Sequence, residues 1–271
     1  MAKAFVETTV LVDALLKSDD SSRAARQAIR RYDQVELPVY AIKEFRDGPL
    51  RNFVWFHNKL VTTRSFANAI GALQRMSLTP RRYTTATALE ALRDAARKVG
   101  SVTAAQMVKE YGPAAKMDAI LCDRFRLSLR AAIARAWRKR RSLASEVVCP
   151  LACYDEAGPV EVSGQLVLGR LGCDGETQCS IAAELGKDMG SLREVKAVVD
   201  SLPKKRENDR RSKALRHLLR TPKRRLPADM CRHLGDAVFA CLAPIDATIL
   251  TTNIRDIGPL AAALGKRFEA P

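Results

Sequence analysis

Two aspartates near the end of the chain, Asp236 and Asp256, have the residue type and the setting of a cation-binding pair. Asp236 lies in the segment LGDAVFAC, whose apolar residues recur at helical spacing and predict a helix packed against a core. A carboxylate on such a mostly apolar helix is costly to remove from water unless it has a partner. A cation is the expected partner, so Asp236 is a candidate ligand.

The elements around Asp256 place it at the same end of the fold. The run ATIL predicts a short buried strand, and the residues TTN that follow it are typical of a turn. Asp256 comes just past the carboxyl end of that strand, where open α/β sheets bind their ligands. Asp246 precedes the strand and lies at the opposite end. We therefore expect Asp236 and Asp256 to converge on one site.

The segments LGDAVFAC and ILTTNIRDIGPL together resemble the second half of a PIN domain, the fold of a family of metal-dependent ribonucleases. The resemblance implies one acid at the end of the first strand and another on the helix after the second strand. AFVETTVLVDALL supplies Glu7, and VELPVYAIKEF supplies Glu44. The four acids that resemble the family's metal-binding quartet are Glu7, Glu44, Asp236 and Asp256. Their supporting neighbours are Thr8, Asp13, Thr252 and Asn253.

Asp13 is an alternative to Glu7 for the first position of the quartet. It lies about 9 Å further along the predicted helix, at 1.5 Å per residue. The family pattern usually has Asp where this chain has Glu7, and Asn often follows where it has Thr9. We place Glu7 first, because it lies at the end of the strand.

Clustered carboxylates repel one another and take up protons unless a divalent cation neutralises them, and Mg²⁺ or Mn²⁺ is the oxygen-seeking choice. Such a metal suits phosphodiester hydrolysis, because it acidifies a bound water and stabilises charge on the phosphate oxygens. The resemblance implies an endoribonuclease that cuts single-stranded RNA. Two alternatives stay open: a degenerate PIN scaffold that binds RNA or a protein without cutting, and a structure-specific DNA nuclease.

The charge of the chain favours nucleic acid as the partner. The 46 Lys and Arg against 30 Asp and Glu give a net charge of +16. No apolar run approaches the roughly 20 residues of a spanning helix, and the first residues lack a signal-peptide core, so we expect a cytoplasmic protein without a membrane partner. The resemblance also leaves a homodimer and an antitoxin-like partner open, although the toxins of this family are usually near half this length.

The resemblance implies an α/β, Rossmann-like three-layer domain with a mostly parallel sheet, formed by residues 1–80 and 226–271. Residues 81–225 leave the PIN pattern and are too long for an ordinary connection, so we interpret them as an insertion. The insertion holds 30 basic and 17 acidic residues, and therefore most of the net charge. Its apolar spacing predicts helices over 84–99, 102–111, 113–141, 191–202 and 205–220.

Basic residues of the insertion are candidates for binding the nucleic-acid backbone. The segment 204–225 precedes the helix of Asp236 and is strongly basic. On a helix, its cations form an exposed stripe that could lead a phosphate backbone to the acids. The candidates on this helix are Arg206, Arg210, Lys213, Arg216 and Arg220. Two more, Arg135 and Arg138, flank the apolar stripe of the long helix over 113–141.

Four cysteines lie in residues 142–180, a stretch with turn residues and a hairpin-like alternation in EVSGQLVLG. They are Cys149, Cys153, Cys173 and Cys179. Thiolates in two spaced pairs are typical of a structural zinc site. The alternative is a set of reduced, partly buried thiols. No phosphate-binding P-loop, nucleophile elbow or His-Glu-x2-His helix competes with the carboxylate site.

Overall fold

The centre of the fold is a sheet of five strands in which every paired strand runs parallel to its neighbour. The computed structural model describes residues 1–17, 19–77, 93, 104–112, 116–154, 156–169, 179–203, 205–222 and 226–271. Its strands are β1 (Lys3–Val6), β2 (Gln34–Pro38), β3 (Glu146–Val148), β4 (Val160–Val162), β5 (Gln165–Val167), β6 (Ala247–Leu250) and β7 (Arg267–Glu269). The order in the large sheet is β3-β2-β1-β6-β7, and β4 and β5 form a separate antiparallel pair.

Helices connect the strands and cover the sheet. The first helices are α1 (Thr8–Leu16), α2 (Asp20–Arg30), α3 (Val39–Phe45), a π-helical turn (Arg46–Leu50), α4 (Arg51–Thr63) and α5 (Phe66–Ser77). The next are α6 (Ala104–Tyr111), α7 (Met117–Lys139), α8 (Ser180–Leu185), α9 (Met189–Ser201) and α10 (Arg206–Arg220). The last are α11 (Ala228–Arg232), α12 (Gly235–Leu242) and α13 (Ile254–Ala263).

The central strands are buried on both faces. All four residues of β6 are buried, as are Ala4, Phe5 and Val6 of β1. Because successive side chains of a strand point to opposite faces, continuous burial requires cover on each side of the sheet. The fold is therefore compatible with a three-layer α/β arrangement.

The centre of the sheet is a topological switch point. The chain leaves β1 for β2 on one side, whereas β6 is followed by β7 on the other. The register pairs Val6 with Leu250, so β1 and β6 end side by side. Glu7 follows one of these strand ends and Thr251 follows the other. Crevices for ligands form where neighbouring connections diverge in this way.

The predicted α/β class with its parallel sheet is confirmed, and EVSGQLVLG forms the predicted hairpin as β4 and β5. Two strands were not predicted, β7 at the end of the chain and β3 within the predicted insertion, where β3 pairs with β2. The division into three segments stays a prediction. The predicted helix over 84–99 lies, apart from Arg93, outside the described residues. Within the described part of the chain, no helix combines the length and apolarity needed to cross a membrane.

Candidate functional site

A pocket of about 520 Å³ lies beside the carboxyl ends of β1 and β6. Three of the four predicted acids, Glu44, Asp236 and Asp256, line it. Thr252 and Asn253 from the turn after β6 also contribute to the wall. Segments far apart in the chain therefore bring acidic and polar side chains to one crevice at the switch point.

Glu7 is buried next to Thr9, a residue that lines the pocket, and is only 4% exposed. It caps the first turn of α1: its Oε2 accepts hydrogen bonds from the Thr9 amide at 3.0 Å and from the Thr9 hydroxyl. The Thr251 hydroxyl donates to the same oxygen at 3.0 Å. These donors hold the carboxylate in a fixed orientation. Capping alone also explains an acid here, so the contacts do not by themselves make Glu7 a metal ligand.

The Glu44 carboxylate lies between the start of α1 and the start of α12. Its Oε2 accepts a hydrogen bond of 2.7 Å from the Thr8 hydroxyl, which ties α3 to the start of α1. On the other side lies Gly235, the first residue of α12, where an added Cβ would be 2.6 Å from Oε1 of Glu44. A side chain at position 235 would displace the carboxylate, so glycine is required for this close approach. Glu44 therefore faces the helix that carries Asp236.

Asp236 and Asp256 share a cation supplied by the chain itself. Nη2 of Arg211, on α10, lies 2.6 Å from Oδ2 of Asp236 and 3.5 Å from Oδ2 of Asp256. Nδ2 of Asn253 donates to the other oxygen of Asp236, Oδ1, at 3.2 Å. The Arg211 side chain is only 11% exposed. The cationic partner expected for Asp236 is thus present, and it is a guanidinium from the predicted insertion.

Burial and mutual repulsion raise the pKa of three of the acids. Burial, aided by the charges of Glu44 and Asp236, raises the pKa of Glu7 to about 8 against the opposing hydrogen bonds of Thr9. Burial and the charge of Asp236 raise the pKa of Glu44 to about 7. Burial also raises the pKa of Asp236, although the charge of Arg211 opposes the shift. At neutral pH this cluster is short of positive charge.

The raised pKa of Glu7 predicts how stability depends on pH in metal-free protein. A carboxyl group that binds its proton more tightly in the folded state loses stabilising free energy as pH rises from its ordinary value of 4.5 to its folded value of about 8. Glu7→Gln lacks this titration. In urea unfolding with EDTA, we expect the variant to gain stability over the wild type steadily as pH rises. A difference that stays constant across this range would contradict the buried, perturbed carboxyl.

The chemistry of these donors fits a hard divalent cation, whereas their present placement does not. As the side chains are placed, no three His, Cys, Asp or Glu residues in the described part of the chain are arranged to hold a metal ion. Nη2 of Arg211 contacts both Asp236 and Asp256, so it competes with any other cation for these oxygens. The carboxylate oxygens are ligands of the kind that Mg²⁺ and Mn²⁺ prefer. The chemistry of the donors therefore fits such an ion, provided that the guanidinium withdraws and the acid side chains turn toward one point.

The other two aspartates considered from the sequence lie away from this arrangement. Asp13 forms an ion pair with Lys17, one helical turn further along α1, with Oδ1 and Nζ 2.7 Å apart. Asp246 is 69% exposed and precedes β6, at the far end of the strand from the pocket. Both therefore have ordinary structural explanations and serve as controls for the acids in the pocket.

The predicted basic stripe lies on the outside of α10. Its members are all exposed and, within the described residues, none forms an ion pair; they are Arg206, Arg210, Lys213, Arg216 and Arg220. Arg135 and Arg138 are exposed on α7. Binding of nucleic acid by either set stays a prediction.

Sequence reasoning missed Arg211. Its position was the available signal, since it precedes the buried Leu215 by four residues and the buried Leu218 by seven. It therefore lies on the packed face of α10. Sequence reasoning also missed Arg232 and His233, which line the pocket.

Three of the four predicted zinc-site cysteines are described, and Cys173 lies outside the described residues. Cys149, Cys153 and Cys179 are free thiols that are partly buried. Nζ of Lys43 donates to Sγ of Cys153 at 3.4 Å. Burial raises the pKa of Cys149, which favours the thiol in the absence of a metal. The zinc site stays a prediction.

Elemental analysis tests the zinc prediction. For protein purified without added metal, we expect one zinc per chain, and we expect Cys149→Ser to lose both the zinc and stability, because a structural site contributes folding free energy directly. Cys241→Ser, at a partly buried position outside the four, is the control. Protein that holds less than about a tenth of an equivalent of zinc, and loses no stability in Cys149→Ser, would contradict the site.

Comparison with known proteins identifies no relative. No protein-family model matches the chain, and neither a curated protein nor a solved structure does.

Proposed function

We propose that the chain is a PIN-like, Mg²⁺- or Mn²⁺-dependent endoribonuclease that hydrolyses single-stranded RNA. The observation that carries this proposal is the convergence of Glu44, Asp236 and Asp256 on one pocket, with Glu7 buried beside it. Acids in ordinary surface positions would not share the burial and mutual repulsion of Glu7, Glu44 and Asp236. A group of acids that is short of positive charge at a sheet switch point suits a divalent metal.

The residues of the pocket have distinct tasks in this proposal. Glu7, Glu44, Asp236 and Asp256 would hold the metal. Hydrogen bonds from Thr8, Thr9, Thr251 and Asn253 orient the first three of these acids. A metal held there would acidify a bound water and stabilise negative charge on the phosphate. Arg232 and His233 line the same pocket, where they can contact substrate. The exposed cations of α10 would bind the RNA backbone without reading its bases.

A non-catalytic scaffold is the second candidate. The contact of Arg211 with Asp236 and Asp256 supports it, because a guanidinium can neutralise these acids permanently. In that case the basic surface would still bind RNA, and the pocket would have only a structural role. A DNA nuclease would use the same acids, so only a substrate comparison separates it from the first proposal.

A cleavage assay on matched labelled RNA and DNA strands, with Mg²⁺, Mn²⁺ or EDTA, separates the three candidates. We expect cleavage of single-stranded RNA with either metal and none with EDTA. Asp246→Asn, which removes an exposed carboxylate far from the pocket, should behave as the wild type. Cleavage of DNA alone would favour the DNA nuclease, whereas RNA binding without cleavage in any metal would favour the scaffold.

A further inference from the structure

Arg211 contacts two of the acids that would hold a metal in the proposed site. Its Nη2 lies 2.6 Å from Oδ2 of Asp236 and 3.5 Å from Oδ2 of Asp256. A divalent ion such as Mg²⁺ binds a carboxylate oxygen at about 2.0–2.1 Å. A metal at this distance from Oδ2 of Asp236 would repel the positively charged guanidinium from the same oxygen. The two cations cannot share that oxygen as it is now placed.

Each carboxylate oxygen of Asp236 already has a partner, so a metal would compete with these partners for both oxygens. Oδ1 accepts the hydrogen bond from Asn253, and Oδ2 contacts Arg211. Removing the guanidinium without a replacement would leave a buried carboxylate uncompensated, which is costly. Oε1 of Glu207 already lies 3.4 Å from Nη2 of Arg211, but the guanidinium leaves Asp236 readily only when a metal replaces it there and a second anion joins Glu207 as its partner.

The anion that best accepts Arg211 is a phosphate of the bound nucleic acid. The guanidinium is planar and matches two phosphate oxygens at once. The helix itself can stay in place during the exchange, because Leu215 and Leu218 on its packed face are fully buried. On its outer face, Arg206 and Arg210 are exposed and can hold the same backbone. A rotation of one side chain is then enough.

We propose that Arg211 couples metal binding to nucleic-acid binding: it closes the acid pair to divalent cations until a backbone phosphate accepts its guanidinium. This inference rests on the proposed nuclease function and adds regulation by substrate to it. The acids would bind metal mainly when substrate is present. Substrate would in turn bind more tightly when metal is present, since such coupling is reciprocal. In the absence of RNA, the protein would bind Mn²⁺ weakly, because only the fraction with Arg211 withdrawn is competent.

Mn²⁺ affinity, read from the paramagnetic resonance signal of the free ion, tests the coupling without any measurement of cleavage. The probe is a short single-stranded RNA whose phosphorothioate linkages resist hydrolysis. For the wild type, we expect the RNA to tighten Mn²⁺ binding about tenfold. For Arg211→Gln, we expect Mn²⁺ to bind about tenfold more tightly than to the wild type without RNA, and the effect of RNA to disappear. Circular dichroism establishes that the variant is folded.

The matched control is Arg193→Gln, which removes one positive charge from an exposed position on α9. It should show the Mn²⁺ affinity and the RNA effect of the wild type. Equal Mn²⁺ affinity in Arg211→Gln and the wild type would overturn the proposal. An RNA that leaves the Mn²⁺ affinity of the wild type unchanged would also overturn it, and that measurement needs no variant. Absence of Mn²⁺ binding in every sample would instead refute the proposed metal site itself.

Discussion

Asp236→Asn is expected to slow RNA cleavage by about a thousandfold or more while the protein stays folded. The physical reason is that Asp236 lies between Glu44 and Asp256 in the pocket and would contact the metal directly. The amide keeps the shape of the side chain but loses the charge that attracts a divalent ion. Single-turnover cleavage of labelled RNA in Mn²⁺ measures the rate constant, and thermal unfolding checks the fold.

Two matched variants make this result specific. Asp13→Asn and Asp246→Asn remove the same charge from positions away from the four acids. Asp13 forms an ion pair with Lys17, and Asp246 is exposed just before β6. Both should cut at close to the wild-type rate, whereas Glu7→Gln should lose activity. Wild-type cleavage by purified Asp236→Asn would show that the metal assignment is wrong. Loss of activity in Asp13→Asn with full activity in Glu7→Gln would reverse the choice between these two acids.

The second large effect concerns the basic stripe on α10. Replacing Arg206, Arg210 and Arg220 together by Gln should flatten the log-log dependence of RNA affinity on salt by about two units, because each phosphate contact on a single strand releases about 0.7 counterion. Binding should weaken alike for all sequences, since phosphate contacts position a strand without reading it. Fluorescence anisotropy over a salt series, on an Asp236→Asn background, measures this slope.

A control variant with the same change of charge separates the stripe from general electrostatics. Arg30, Arg75 and Arg193 are exposed on three other helices, α2, α5 and α9. Their replacement by Gln should lower affinity slightly and change the slope much less than the α10 variant does. An unchanged slope in the α10 variant would place the binding surface elsewhere, and Arg135 and Arg138 on α7 are the next candidates.

The elements whose structure depends mainly on their own residues and on the turns beside them could be predicted from the sequence. The first and second strands, the strand ATIL and the helices that carry Glu44 and Asp236 all form where residue pattern and turn residues indicated. The reason is that each is short, strongly apolar and bounded by residues with a clear preference for a turn or a cap. The convergence of three of the acids on one pocket followed from the order of these elements.

The parts that tertiary pairing determines were not predictable. β3 and β7 are three residues each at the two edges of the sheet, and neither is fully buried. Their pairing partners, β2 and β6, decide their structure more than their own composition does. Nothing local in the sequence indicates that Glu146–Val148 would leave the predicted insertion and join the main sheet.

The surroundings of Arg211 could not be predicted for the same reason, because they depend on tertiary packing. The sequence pattern placed the basic residues of α10 on an outer stripe, and five of them do lie outside. Arg211 shares its face with Leu215 and Leu218, so its environment depends on what that face packs against. A charged residue in register with buried leucines was the sign that a partner carboxylate would be present. The identity of that partner required the three-dimensional arrangement.

Crystals soaked in Mn²⁺ together with a cleavage-resistant single-stranded RNA would show whether these acids hold a metal, because anomalous scattering identifies the ion by element. We expect one Mn²⁺ peak within coordination distance, about 2.0–2.3 Å, of carboxylate oxygens of Asp236 and at least one of Glu44 and Asp256. Arg211 should have left Oδ2 of Asp236 and should contact a backbone phosphate. A pocket without a Mn²⁺ peak, with Arg211 still paired to Asp236 beside bound RNA, would contradict the account.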